Sequence, residues 1–375
     1  MQRSGGTVVT IRDVAHESGV SISTVSRVFT MPGLVSDQTR ERVAAVATRL
    51  GYHPNRAARG LITGRTGNLG VIVPDLGNPF FQGVLRGAQA RASETDHWVF
   101  LADSQEDPRA EHELIVQLAK QVDGIVLCSA RMAVPQLEEL AAATRLVLVN
   151  RRAAGAPSVL MDDAGAAWQV VDHLIALGHR RIGYASGPRG SWSNVQRRRV
   201  IRAAARKRGL ELAEFGPLPP TFDAGAHAAG LALAAGVTAI IAYNDLMAIG
   251  MLSRFADRGV PVPGQVSVAG FDDIEMAAMT SPALTTAAMP KREAGRAAVD
   301  LLLGLLTAGS PRAGTAELAG QLVVRASTAP RRARPASRGA PASTAPRRAG
   351  TAGRGAPQQA PEEPAVAAHE GGNQT

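Results

Sequence analysis

A chain of 375 residues is too long for one compact core and suits two or three domains. Its 45% hydrophobic and 19% charged residues are a globular balance, but the net charge of +9 is uneven. One cysteine, Cys128, excludes an intramolecular disulfide scaffold, no apolar run approaches the ~20 residues of a membrane span, and the first residues lack the apolar core of a signal peptide. These readings predict a cytoplasmic chain with no membrane partner. Residues 1–66 hold nine Arg against four acids, residues 67–326 hold 25 basic and 25 acidic side chains, and residues 327–375 hold seven Arg against three Glu. A basic head and tail around a neutral body point to a polyanion at the ends.

The head reads as short helices. Thr10 caps a helix starting at Ile11, with Asp13 near its positive end, and Gly19 ends it because glycine adopts a left-handed turn cheaply. Ser21 caps a second helix through Phe29. Pro32 and Gly33 break the chain. Ser36 caps a third helix with Val43, Val46, Ala47 and Leu50 on one face, closed by Gly51, and Pro54 opens a fourth stretch from Asn55 to Ile62. Counted from Ile11, the fifth residue is small (Ala15), the ninth is Gly19, and the fifteenth and eighteenth are Val25 and Val28. That is helix-turn-helix spacing, with the rest of the second helix turned outward.

From Leu69 apolar runs alternate with amphipathic windows. Strands are predicted at Leu69–Val73, Trp98–Ala102, Gly124–Ser129, Leu146–Asn150, Ser158–Met161, Ile182–Ala185, Ala239–Ala242 and Val266–Phe271. Helices are predicted at Phe80–Ser93, Arg109–Gln121, Ala164–Leu177, Val195–Arg208, Asp245–Arg258 and Lys291–Ala308. This alternation implies doubly wound parallel α/β sheets, with a ligand crevice beyond the carboxyl ends of the strands. After Val324 the pattern stops. STAPRRA at Ser327–Ala333 recurs at Ser343–Ala349, and RGAP at Arg338–Pro341 recurs at Arg354–Pro357. So little apolar content predicts disorder; the segment reads as a low-complexity extension or as an Arg-rich arm adding nonspecific DNA affinity.

Several motifs then resemble one family in order. VTIRDVAHESGVSISTVSRVF (Val9–Phe29) and VSDQTRERVAAVATRLGYHPNRAARGL (Val35–Leu61) are similar to the head of the LacI/GalR (lactose-repressor) transcription regulators. GVIVPDLGNPFF (Gly70–Phe81), GHRRIGYASGP (Gly178–Pro188), YND (Tyr243–Asp245), VAGFDD (Val268–Asp273), SPALTT (Ser281–Thr286) and LVVRAST (Leu322–Thr328) continue the likeness through the body. The resemblance implies a helix-turn-helix domain at 1–53, a hinge helix and linker at 54–66, a two-lobed periplasmic-binding-protein-like effector-binding and dimerisation domain at 67–328, and a tail at 329–375.

It also implies roles. Ile22, Ser23 and Arg27 fall where the family reads operator bases, and a guanidinium there can fork onto guanine O6 and N7. Thr10, Ser21, Thr24 and Ser26 fall where capped helix starts and hydroxyls hold phosphates. Asn55, Ala58, Arg59 and Leu61 match the hinge helix, with Leu61 as a minor-groove wedge; a plain linker is the other reading. In the crevice, Phe80 and Phe81 can cover a sugar ring or base, although Phe81 reads equally as core. Arg151, Asn244 and Asp272 match effector positions, and Ser191, Ser193, Arg197 and Phe222 align more loosely. Two departures put that corner in doubt: Val200 stands where the family usually has Gly, and Asn150 where an acid often precedes Arg151. The run Arg197–Arg198–Arg199 reads more naturally as a solvated helix face than as a ligand clamp. Cys128, His173 and His179 read as structural.

These expectations describe a homodimeric regulator of carbohydrate genes, released from a pseudo-palindromic operator by a small sugar. No cofactor, metal or catalytic residue is expected, since no metal spacing, P-loop, G-x-S-x-G or G-x-G-x-x-G pattern occurs. A purine-like corepressor is the alternative ligand. A solute-binding protein is the rival class, but it would have no use for Ile11–Leu61.

Overall fold

The computed structural model describes residues 9–52, 64–308 and 314–331. The head holds α1 (Ile11–Ser18), α2 (Ile22–Thr30), a 3-10 turn at Pro32–Leu34, and α3 (Asp37–Leu50). Val14, Ala15, Val25, Val28, Val43, Val46 and Ala47 bury one another, each large side chain contributing about 1.5–3 kcal/mol against exposure. Gly19 turns α1 into α2 at φ +65°, and Arg49 of α3 reaches Glu17 of α1 at 3.0 Å. The fourth stretch, Asn55–Ile62, lies outside the described residues.

The body is two six-stranded sheets. Lobe 1 contains β1 (Asn68–Val73), α4 (Pro79–Glu94), β2 (Trp98–Asp103), α5 (Pro108–Leu118), β3 (Gly124–Cys128), α6 (Val134–Ala143), β4 (Leu146–Val149) and β5 (Ser158–Met161). Lobe 2 follows with α7 (Asp163–Ala176), β6 (Arg181–Ala185), α8 (Trp192–Arg208), β7 (Glu211–Phe215), α9 (Phe222–Ala234), β8 (Ala239–Ala242), α10 (Asp245–Asp257), β9 (Ser267–Asp272), α11 (Glu275–Met279) and β10 (Thr285–Ala288). The chain then returns to lobe 1 as α12 (Lys291–Ala308) and β11 (Thr315–Leu318), and crosses once more to lobe 2 as β12 (Gln321–Val323).

The strand orders are β11-β5-β4-β3-β1-β2 and β12-β10-β9-β8-β6-β7. Every pairing is parallel except β10 with β12. The chain therefore passes between lobes three times: β5 to α7, β10 to α12 and β11 to β12. Strands β3, β4, β5 and β8 are buried throughout, as crossover helices on both faces require. Helices α4 and α12 cross so closely that a Cβ on Gly87 would stand 2.0 Å from the Arg292 carbonyl oxygen, and one on Gly295 2.0 Å from that of Val84. Arg91–Asp300 and Arg296–Glu94 pairs lock the same crossing. No helix among the described residues is long and apolar enough to cross a membrane.

Candidate functional site

The head presents one polar face. The Thr10 backbone N–H and hydroxyl both donate to the Asp13 carboxylate at 2.8 Å, which holds Asp13 below the usual carboxylate range and fixes the start of α1. The Ser21 hydroxyl accepts from the Thr24 N–H at 3.1 Å and lies 2.8 Å from the Ser23 hydroxyl and 2.9 Å from that of Thr24, so it is occupied as a helix cap. With Val25 and Val28 pinned inward, Ile22, Ser23 and Arg27 stand exposed on the opposite side of α2, while Thr24 and Ser26 are half-buried. Ile22 is 46% exposed, so its side chain is open on that face. Asn55, Ala58, Arg59 and Leu61 lie outside the described residues.

The second site is the crevice between the lobes. It is lined from lobe 1 by Asn78, Phe80, Phe81, Glu106, Ser129, Arg131 and Asn150, and from lobe 2 by Ser193, Arg197, Pro220, Tyr243 and Asp272. The cavity measures about 20 Å³. Asn78 caps α4 by accepting the Phe80 N–H at 3.0 Å, and Phe80 and Phe81 meet edge to face with centroids 5.0 Å apart. Both rings are buried.

Arg197 organises lobe 2. Its Nε donates to Asp163 Oδ1 at 2.8 Å, one terminal nitrogen donates to the Tyr243 carbonyl at 2.5 Å, and the other lies 3.7 Å from Asp272 Oδ1. The guanidinium is buried over the Phe271 ring at 4.2 Å. Burial pushes the Asp272 carboxyl up to about 7, opposed by the charges of Arg197 and Lys291. Behind it, burial and the charge of Asp272 hold Asp245 well above the usual carboxylate range, while it accepts the Thr286 hydroxyl at 2.6 Å and the Ile274 N–H at 3.0 Å. On lobe 1 the buried Arg131 forks onto Glu106, with one nitrogen 2.8 Å from Oε1, and donates to the Ser129 carbonyl. Each crevice guanidinium is thus neutralised by a carboxylate on its own lobe.

Of the nine effector candidates, Phe80, Phe81, Ser193, Arg197 and Asp272 line the crevice. The other four are placed differently. Asn244 has both amide atoms committed, accepting from the Met247 N–H and donating to the Pro220 carbonyl, so it serves as the cap of α10. Ser191 caps α8 and meets the Tyr243 hydroxyl at 2.9 Å. Arg151 donates to the Met132 carbonyl at 2.8 Å. Phe222 is a correction: as the first residue of α9 it stands 42% exposed in a groove between α9 and α10, outside the crevice cavity. The arginine run also divides, because Arg197 falls on the inward face of α8 while Arg198 pairs outward with Glu214 at 2.6 Å and Arg199 is exposed.

Sequence reasoning missed Asn78, Glu106, Ser129, Arg131, Asp163 and Tyr243, and read Asn150 only as a departure from the family pattern. Four of them follow the carboxyl ends of β3, β4 and β8, the position this architecture reserves for ligands, and Ser129 and Asn150 take positive φ there. Asn150 spends its Oδ1 on the Met161 N–H at 3.0 Å, so the residue replacing the family's usual acid braces two strand ends. Cys128 is buried with its thiol pushed up to about 12, and His179 ties Thr238 to the Ala329 carbonyl; both are structural. Among the described residues no group of three or more His, Cys, Asp or Glu is placed to hold a metal.

Comparison with known proteins agrees with this two-part layout. Residues 10–55 match the family described as bacterial regulatory proteins, lacI family, and residues 171–328 match a periplasmic binding protein-like domain. The HTH-type transcriptional repressor CytR of Escherichia coli K12 is 33% identical over 335 residues, spanning 86% of this chain and 97% of the relative. A crystal structure of the lac repressor dimer bound to operator and the anti-inducer ONPF superposes with a TM-score of 0.76 at 27% identity, covering 86% of this chain and 100% of that one. The transcriptional regulator CelR in complex with cellobiose gives a TM-score of 0.63 at 30% identity, covering 85% and 99%. The chain is a DNA-binding transcription regulator of the lacI family.

Proposed function

We propose that this regulator is a repressor that binds a pseudo-palindromic operator as a homodimer and is released by a small neutral sugar. The observation that carries the effector class is the charge pairing in the crevice: Arg131 with Glu106, and Arg197 with Asp163 and Asp272. A charged ligand would have to compete with these bonds. A polyhydroxy ligand adds donors and acceptors to them, while Phe80 and Phe81 supply an apolar wall for a ring face. A cavity of about 20 Å³ holds little more than one water, so a sugar enters only when the lobes part, and its closure-dependent affinity is what shifts the DNA-binding equilibrium. The cellobiose of the CelR complex supports the sugar class, and the lac repressor dimer on its operator supports the dimer. Edge strand β2 adds exposed Phe100 and Leu101, apolar surface of the kind a second subunit covers.

Selection from randomised palindromic duplexes identifies the operator, and a thermal-shift panel of sugars and purines identifies the effector. A ligand at 100 times its Kd raises stability by about 2.7 kcal/mol. Phe80→Ala and Asp272→Ala should abolish that shift and the release from DNA while leaving operator binding intact. A purine that tightens operator binding would replace the sugar reading, and absence of sequence-selective binding at low salt would end the repressor reading.

A further inference from the structure

Lys291 is the first residue of α12, on lobe 1, and its side chain reaches into lobe 2. Its Nζ donates to the Asp272 carbonyl at 2.5 Å and to the Asp273 carbonyl at 2.9 Å. Those two residues have φ of 108° and 52°, a left-handed turn that no glycine relieves and that needs bonding from outside to persist. The Asp273 carboxylate is held in turn by Arg325 at 2.6 Å. The stem of Lys291 lies against α4 at Gly83, where an added Cβ would stand 2.8 Å from Lys291 Cβ. Gly83 is one turn beyond Phe80. A single side chain therefore touches the turn that carries the Asp272 carboxylate and the helix that carries the crevice aromatics.

We propose that Lys291 is a positioning residue for effector recognition, a strut from lobe 1 that holds the Asp272–Asp273 turn and so sets the carboxylate of one crevice wall against the Phe80–Phe81 wall of the other. This rests on the reading of Asp272 as an effector contact. The bonds go to backbone carbonyls, so the strut works whichever protonation state Asp272 adopts, and it leaves the carboxylate itself available to a ligand hydroxyl.

The experiment is hydrogen exchange on the full chain carrying Lys291→Met or Lys291→Arg. Met keeps the length and apolar stem and loses the donors; Arg restores donors and charge. Lys291→Met should speed amide exchange at least tenfold in 271–275 and in 79–84 while leaving α10 unchanged, and Lys291→Arg should stay within about twofold of the parent. Unchanged exchange in those two segments, equal acceleration of all segments, or an Arg variant that behaves like Met would overturn the proposal. In calorimetric titrations with D-glucose, D-ribose and cellobiose, whichever sugar binds the parent should bind Lys291→Met at least tenfold more weakly; equal affinity would also overturn it. Should none of the three bind the parent, the result counts against the sugar reading, and the exchange experiment alone decides the role of Lys291.

Discussion

Burying the Arg197 guanidinium strips it of water, and the chain offsets that loss with Asp163, the Tyr243 carbonyl and the Phe271 face rather than with one partner. Asp163→Ala should therefore cost about 3–5 kcal/mol in urea unfolding, because it leaves a buried cation short of its main counter-charge. Asp272 makes the opposite prediction. Burial pushes its carboxyl up to about 7 in the folded chain, above the ordinary carboxylate range that holds on unfolding, so between the two the folded state binds the extra proton and stability falls as pH rises. Asp272→Asn removes that loss: its melting temperature should gain on the parent's between pH 5 and pH 8, and a constant difference across that range would contradict the assignment. In the head, Arg27→Ala should cost about 1–3 kcal/mol at one operator position, read by binding to single-base variants. A uniform loss across all variants would mean that Arg27 meets phosphate instead.

At the scale of elements, strands with continuous apolar runs were legible in the sequence, and Ser158–Met161 and Ala239–Ala242 end where their composition says. Those missed have physical reasons. Strands β7 (ELAEF), β11 (TAEL) and β12 (QLV) lie at or next to sheet edges and keep polar residues, and β10 (TTAA) is short and small. Helix α9, FDAGAHAAGLALA, lacks contrast between faces because Ala and Gly fill both; contact with α10 makes it a helix face. The expected start of α8 at Val195 falls three residues late, because the Ser191 hydroxyl caps the helix ahead of Trp192 by accepting the Asn194 N–H. The crevice was legible as strand ends and a motif aromatic, whereas ion pairs such as Arg131–Glu106, 25 residues apart in sequence, depend on how two loops meet. The α4–α12 crossing gives an element-scale test. Gly87→Ala should destabilise by at least about 1–3 kcal/mol, since the new methyl meets backbone that cannot rotate away, whereas Gly304→Ala, with open space around it, should be neutral or better.

For the molecule as a whole, charge is uneven: the first 66 residues, which contain the lacI-family match at 10–55, carry a basic excess, and the crevice-bearing body is neutral. Operator affinity should then fall linearly with the logarithm of salt, with a slope of about −0.9 per phosphate neutralised, while effector affinity hardly changes. If the β2 edge is covered by a second subunit, Phe100→Asp should raise the dimer dissociation constant at least tenfold in sedimentation and weaken operator binding in step; normal self-association would move the interface elsewhere.

The three passages of the chain between lobes also bear on how such a regulator diversifies. A head that is contiguous in sequence can be exchanged by a single recombination event, giving an old sensor a new operator. Neither lobe is contiguous: α12 and β11 return to lobe 1 after β10, and β12 ends in lobe 2. A crossover placed between β5 and α7 would join half-sensors whose late elements were shaped by a different parent. New effector specificity therefore arrives either with the whole body, exchanged at the same junction as the head, or by point substitution at the strand ends.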